Sequence, residues 1–149
     1  APDGYTVLLG QDSMFVTNPF IYPKMPFDPM KDLVPVTSTA MNEFFLSVNP
    51  SVPVKTFPEF IDYVKKADPP IPFGSAGNGT SQHLSAALFN SMVSGNMTHV
   101  PYKGGAPATA DLLAGQIQTV FAPLVEVLSH IRAGKLRALG ITSAKRSCW

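Results

Sequence analysis

Apolar residues recur along this chain with two periods, and the two alternate. Thr56 precedes the clearest helix, with an apolar face formed by Phe57, Phe60, Ile61 and Val64. Short apolar runs predict strands at 5–9, 33–39, 44–48, 71–74, 97–100, 119–122 and 136–141. Strands that alternate with helices of about ten residues indicate βαβ units. The pattern therefore predicts an α/β fold with a mainly parallel sheet.

Capping and breaking residues place the other helices. Thr56 and Glu59 form a capping-box pattern, with Pro58 in the first turn. Three later helices are predicted: one that carries Leu84, Leu88 and Met92, one over about 107–113 that ends at Gly115, and one with Leu124, Val127, Leu128 and Ile131 on a face that Gly134 stops. Regular helix is not expected between the prolines Pro19, Pro23, Pro26 and Pro29.

Composition narrows the class of protein. With 149 residues and 16.0 kDa, the chain has the size of one domain, or of a domain and a piece of another. Eleven basic and ten acidic residues leave a net charge of +1, which favours neither nucleic acid nor an anionic membrane as partner. Cys148 is the one cysteine, so an internal disulfide and a cysteine-based zinc site are excluded. No leader pattern opens the sequence.

The stretch GSAGNGTS at 74–81 lies between a predicted strand and a predicted helix. Its glycines allow a tight turn and close backbone approach to a ligand, and the following helix begins near Thr80 with a partial positive charge. Ser75, Thr80 and Ser81 add hydroxyl donors. Two interpretations stay open: an anion site, or a plain turn in which Thr80 or Ser81 caps the helix.

The identity of such an anion is limited by two missing motifs. The loop lacks the lysine of a Walker A sequence, and Gln82 stands where a dinucleotide fingerprint has its last glycine. A small carboxylate therefore fits better than a nucleotide. A second strand-to-helix junction has the sequence VPYKGG at 100–105. Here Tyr102 could stack on a ligand and Lys103 could pair with an acid. Alternatively, Tyr102 packs inside the protein and Lys103 is solvated.

Candidate catalytic groups are sparse. The three histidines, His83, His99 and His130, lack metal-ligand spacing and are interpreted as structural. A contact between Ser75 and His83 is conceivable, but no nucleophile elbow surrounds Ser75. Cys148 has no predicted base. The acidic residues Asp62, Asp111 and Glu126 are expected to be solvated. The sequence thus predicts no enzyme, no metal and no cofactor.

Five blocks together resemble a known family. They are PDGYTVLLG at 2–10, FGSAGNGTSQHL at 73–84, HVPYKGGAPA at 99–108, DLLAGQI at 111–117 and HIRAGKLRALGITSAKRS at 130–147. In this order and spacing they closely resemble the tripartite tricarboxylate transporter solute receptors, also called TctC-like or Bug proteins. The resemblance implies a periplasmic, two-lobed binding protein of type II that delivers a small carboxylate to membrane permease subunits.

The resemblance also implies an assignment of lobes and ligand contacts. Residues 1–46 would be a partial first lobe, 47–135 the second lobe, and 136–149 a return strand to the first. Ligand contacts are expected at the turn after the first strand, at the glycine loop and at the second junction; they are Gly10, Gln11, Ser13, Ser75, Ala76, Gly77, Gly79, Thr80, Tyr102 and Lys103.

The chain departs from this family in length and at one position. Family members are about twice as long, so both ends are expected to be cut points within a longer pattern. The strands at 5–9 and 136–141 would then lack neighbours, which predicts dimerisation through them. Ala122 stands where family members often carry an acidic residue. Two other functions stay open: a metabolite-sensing regulatory module, and a small hydrolase or transferase built around Ser75.

Overall fold

The computed structural model describes residues 3–145, and predictions about the chain ends, Cys148 included, lie outside them. The chain divides into two compact units, of which the first ends at Thr39 and the second begins at Ala40. The finer division into lobes at 46/47 and 135/136 stays a prediction.

The first unit contains two short helices, α1 at Asp12–Val16 and α2 at Asn18–Ile21. Pro19 lies in the first turn of α2. The expectation that the prolines exclude regular helix is therefore wrong by one turn, because the N–H that proline lacks has no helical partner at that position.

Two predicted strands of the first unit are wrong. The segments 5–9 and 33–39 have no strand assignment, and their apolar side chains face solvent: Tyr5 is 92% exposed and Val36 is 85% exposed. A strand is stable only when a neighbour pairs with its N–H and C=O groups. No described residue of the first unit pairs with either segment in a sheet.

The second unit is built on one five-stranded sheet. Its strands are β1 at Phe44–Val48, β2 at Ile71–Ser75, β3 at Met97–Pro101, β4 at Thr119–Pro123 and β5 at Arg137–Ile141, in the order β3-β2-β4-β1-β5. Strand β2 pairs in parallel with β3 and β4, whereas β1 is antiparallel to β4 and β5. Only β1 runs against the rest, which confirms the predicted α/β fold with a mainly parallel sheet.

Four helices connect these strands: α3 at Phe57–Lys65, α4 at Ser81–Val93, α5 at Gly105–Ala114 and α6 at Leu124–Arg132. At the start of α3, the Thr56 hydroxyl accepts a hydrogen bond from the N–H of Glu59 at 3.4 Å. The Glu59 carboxylate accepts from the N–H of Lys55 at 2.7 Å. The predicted helix start is thus confirmed. In a regular capping box the Glu59 carboxylate would accept from the N–H of Thr56, whereas here it accepts from the preceding residue, Lys55.

Each face of the sheet has its own hydrophobic cluster. Leu46 and Phe121 point to the face covered by α3 and α4, where Phe60 is fully buried. Phe45 and Val120, their chain neighbours, point to the other face, covered by α5 and α6. This alternation follows from the two-residue period of a strand, and it buries the sheet on both sides.

Helix α4 turns a different face to the sheet than its leucines suggest. Leu84, Leu88 and Met92 are 41%, 62% and 77% exposed, while Ala86 is fully buried and Phe89 packs against the core. The small side chain of Ala86 lets the helix lie close to the sheet. Gln82, on the same face of α4, accepts a hydrogen bond from the N–H of Ala76 in the preceding loop.

A pair of phenylalanines tests this core. Replacing fully buried Phe60 by alanine leaves a cavity, so we expect the free energy of unfolding to fall by about 3–5 kcal/mol. Phe20 is 89% exposed, and F20A should change it by no more than about 0.5 kcal/mol. Urea unfolding followed by circular dichroism measures both; equal losses would contradict the described core.

Candidate ligand-binding site

The parallel pairing of β2 with β3 and β4 brings the loops after these three strands to one edge of the sheet. Beyond the ladder, the Tyr102 N–H donates to the Ser75 carbonyl at 3.0 Å. The Gly104 N–H donates to the Ala76 carbonyl at 3.2 Å. The glycine loop and the second junction, two candidate sites in the sequence, therefore form one surface.

The glycine loop is held by side chains of Ser75 and of the first turn of α4. Ala76 N–H donates to the Gln82 Oε1 atom at 2.8 Å, and Gly79 N–H donates to the His83 Nδ1 atom at 3.1 Å. Gly77 N–H donates to the Ser75 hydroxyl at 3.1 Å. The N–H groups of Ala76, Gly77 and Gly79, which the sequence suggested as donors to an anion, thus already have acceptors within the protein.

Positive φ angles explain two of the glycines. Gly77 has a φ of 138° and Gly79 a φ of 75°, both in the region that disfavours a side chain. Thr80 then begins α4, since its hydroxyl accepts from the His83 N–H at 3.4 Å and donates to the Gly77 carbonyl at 2.8 Å. The capping role that the sequence proposed for Thr80 is confirmed.

A serine and two histidines form a cluster beneath the loop. The hydroxyl of fully buried Ser75 lies 2.6 Å from His99 Nε2. The His99 ring stacks on His83 with centroids 3.9 Å apart, and the Phe73 ring lies 5.0 Å from His99. The histidine that contacts Ser75 is therefore His99, not His83 as considered from the sequence.

The environment of the cluster favours the uncharged form of both His83 and His99. Burial lowers the pKa of both imidazoles, and the neighbouring His83 helps to bring that of His99 to about 4. His83 Nδ1 can accept from Gly79 only while that nitrogen is unprotonated. The Ser75 hydroxyl also bonds to the Gly77 carbonyl and amide, so the cluster's contacts organise the loop.

Tyr102 is fixed within the second unit. Its hydroxyl donates to Asp111 Oδ2 at 2.7 Å, and its ring packs against the core beneath α5 and α6. Burial, followed by the Asp111 bond, raises the pKa of Tyr102 to about 12. The expectation that Asp111 is merely solvated is wrong, because its carboxylate accepts this hydroxyl; Lys103, in contrast, is exposed.

Glu126 is the second acidic residue for which the expectation of a solvated group is wrong. Its carboxylate is part-buried and accepts from Gln82 Nε2 at 3.3 Å. It packs so closely on Gly105, the first residue of α5, that a Cβ there would overlap it. Burial raises the pKa of Glu126, and the Gln82 bond partly opposes this. Asp62 is exposed, as expected.

Three predicted contacts belong to the first unit. Gly10 lies against the Phe15 ring, Gln11 precedes α1, and Ser13 is buried in α1. Their role as ligand contacts stays a prediction.

Two observations bear on other classes of function. Residues 3–145 contain no cluster of three histidine, cysteine or acidic side chains able to hold a metal. Over the same residues, no helix has both the length and the apolar character that a bilayer crossing requires.

The histidine cluster predicts a pH dependence. A lowered pKa in the folded state means that the unfolded chain binds protons first, so folding stability is full above about pH 6.5 and falls as the pH drops towards 4. Unfolding midpoints at pH 7 and pH 4.5 should differ less in H99Q than in the unaltered chain. An identical pH dependence in H99Q would contradict this.

Comparison with known proteins shows the family to which this chain belongs. The model of the tripartite tricarboxylate transporter family receptor matches residues 1–149. The protein BugT of Bordetella pertussis is 34% identical over 148 residues, which cover 99% of this chain and 45% of BugT.

Two solved structures superimpose on most of the chain. A periplasmic transporter matches with a TM-score of 0.84 and 39% identity, over 91% of this chain and 46% of its own. The R. palustris protein Rpa4515, solved with adipate, also has a TM-score of 0.84, at 34% identity, over 90% of this chain and 45% of its own.

The chain thus spans about half the length of the proteins that it matches. The resemblance drawn from the five sequence blocks is confirmed, and so is the fold of a periplasmic-binding-protein lobe. This chain belongs to the tripartite tricarboxylate transporter receptor family.

Proposed function

We propose that this chain binds a small carboxylate outside the cytoplasmic membrane and presents it to the permease subunits of a tripartite tricarboxylate transporter. Membership of the receptor family supports this role, and a relative of similar fold was solved with the dicarboxylate adipate. A relative of similar fold is a periplasmic transporter, which supports a periplasmic location, and membership of a receptor family supports binding without turnover.

The observation that carries the proposal is the joined surface of the loops after β2 and β3. Backbone bonds from Tyr102 and Gly104 hold these loops together, and the Ser75–His99–His83 cluster supports them from below. Such a surface loses little conformational entropy when a ligand binds, which favours affinity. Exposed Lys103 on the same surface supplies positive charge for a carboxylate.

The proposed contacts in the second unit are those expected from the sequence, with divided roles. Exposed Lys103 and the loop residues Ala76, Gly77, Gly79 and Thr80, of which Gly79 is buried, line the proposed binding surface. Ser75 and Tyr102 act from beneath, because their hydroxyls are engaged within the protein. Gly10, Gln11 and Ser13 belong to the proposal as contacts from the first unit.

Self-association is a further part of the proposal. Strand β5 is an edge of the described sheet, and an edge strand offers unpaired backbone groups to a second chain. The segment 5–9 contributes exposed apolar side chains rather than a strand.

Binding should be saturable and should leave the ligand unchanged. We expect adipate at a thousand times its Kd to stabilise the chain by about 4 kcal/mol, visible as a rise in the unfolding midpoint. Adipate recovered after incubation should be chemically intact by NMR. No midpoint shift with adipate, succinate, L-malate or L-aspartate would contradict the proposal, and a consumed ligand would favour an enzyme instead.

A pair of lysines tests where the carboxylate binds. K103Q removes an exposed charge at the loop surface, so we expect the Kd for a bound dicarboxylate to rise about two- to fivefold at low salt. K66Q removes the same charge at the C-terminus of α3, near Pro70 at the opposite end of β2, and should leave the Kd unchanged. Isothermal titration calorimetry measures both; equal effects would place the ligand elsewhere.

A further inference from the structure

One carboxylate of the protein itself lies where the three loops meet. Helix α6 begins directly after β4, and Glu126 is in its first turn. The Glu126 carboxylate packs on Gly105, where α5 begins after the loop that follows β3. Through Gln82, which receives the Ala76 N–H at 2.8 Å and donates to Glu126 at 3.3 Å, it is also connected to the loop after β2. Glu126 thus belongs to the same surface as the proposed contacts.

This carboxylate is only partly satisfied. Among the described residues, its hydrogen-bond donor is the side-chain amide of Gln82, whereas an ionised carboxylate can accept about four hydrogen bonds. Within residues 3–145, the ion pair present is Lys31 with Asp28, so no lysine or arginine lies within 4.0 Å of Glu126. A part-buried acceptor without a cation gains from any donor that a ligand brings.

The same charge disfavours a second kind of ligand. A carboxylate group placed beside Glu126 would meet a like charge at a part-buried position, where the repulsion is stronger than in bulk solvent. A hydroxyl or ammonium at that position would instead donate to it. Glu126 therefore separates ligands by whether they carry a hydrogen-bond donor next to a carboxylate.

We infer that Glu126 is the specificity-determining residue of this site, and that it selects carboxylates bearing a neighbouring hydroxyl or ammonium group over plain dicarboxylates. The inference rests on the proposed function, since it deepens the ligand class for that same surface. Glu126 occupies a different position from Ala122, the buried residue of β4 at which the family resemblance pointed to an acid.

Three probes of equal length test the inference by calorimetry on the full chain: succinate without a donor, L-malate with a hydroxyl and L-aspartate with an ammonium. We expect L-malate or L-aspartate to bind at least tenfold more tightly than succinate, as for a hydrogen bond to a charged group. In E126Q this preference should fall to threefold or less. D62N, which removes an exposed carboxylate from α3, should keep it.

A second variant keeps the charge and moves it. In G105A the new methyl group overlaps the Glu126 carboxylate and displaces it, so the preference should fall as in E126Q although residue 126 is unchanged. Thermal unfolding of each variant shows whether it is folded, and either variant is sufficient for the comparison.

The outcomes separate the two proposals. If succinate binds as tightly as L-malate and L-aspartate, or if a folded E126Q or G105A variant keeps the preference, the inference is wrong while the carboxylate receptor stands. If none of these probes binds, and adipate does not bind, the proposed function fails and the inference fails with it. A preference for L-aspartate alone assigns the donor as an ammonium, and one for L-malate alone assigns it as a hydroxyl.

Discussion

The parallel pairing of β2 with both β3 and β4 is the constraint on which the candidate site depends. Because the three strands run in the same direction, their carboxyl ends reach the same edge, and the loops that follow them must meet there. Helices on both faces bury the sheet and fix its position. Strand β1, the one reversed strand, lies between β4 and β5, and it begins at that edge, where Phe44 pairs with Pro123 at the end of β4.

The loop surface is organised by side chains that come from several elements. Ser75 ends β2, His83 lies in α4 and His99 lies in β3, and their contacts hold the backbone of the glycine loop. Most of the loop's hydrogen-bonding capacity is thus used internally. In the function proposed above, a ligand would meet a surface that is already ordered, and its selection would depend on the few groups that still have hydrogen-bonding capacity or charge, Lys103 and Glu126 among them.

Most of the second unit could be predicted from the sequence, because local patterns determine it. The strand at 44–48 and the start of α3 at Thr56 follow from runs of apolar residues and from capping, which depend on near neighbours. The segments 5–9 and 33–39 have the same apolar character as true strands. They are not strands, because pairing depends on a neighbour that the segment itself does not specify.

The side-chain contacts of the site could not be predicted from the sequence for a related reason. His83 and His99 meet only because β2 and β3 pair in a register that places Phe73 beside His99, and the sequence spacing of histidines carries no such information. The burial of Glu126 depends on how α6 packs against α5. The exposure of Leu84 in α4 likewise follows from the rotation that packing imposes on the helix. The available signal was the βαβ pattern, which implies that loops after neighbouring strands converge.

The most direct test of the central claim is a backbone amide NMR titration of the chain with L-malate. The account predicts that the largest shift changes fall on the loops after β2, β3 and β4, at Ala76, Gly77, Gly104, Gly105 and the start of α6. Saturable changes that avoid these loops and cluster instead at the opposite end of β2, around Pro70 and Gln118, would contradict it.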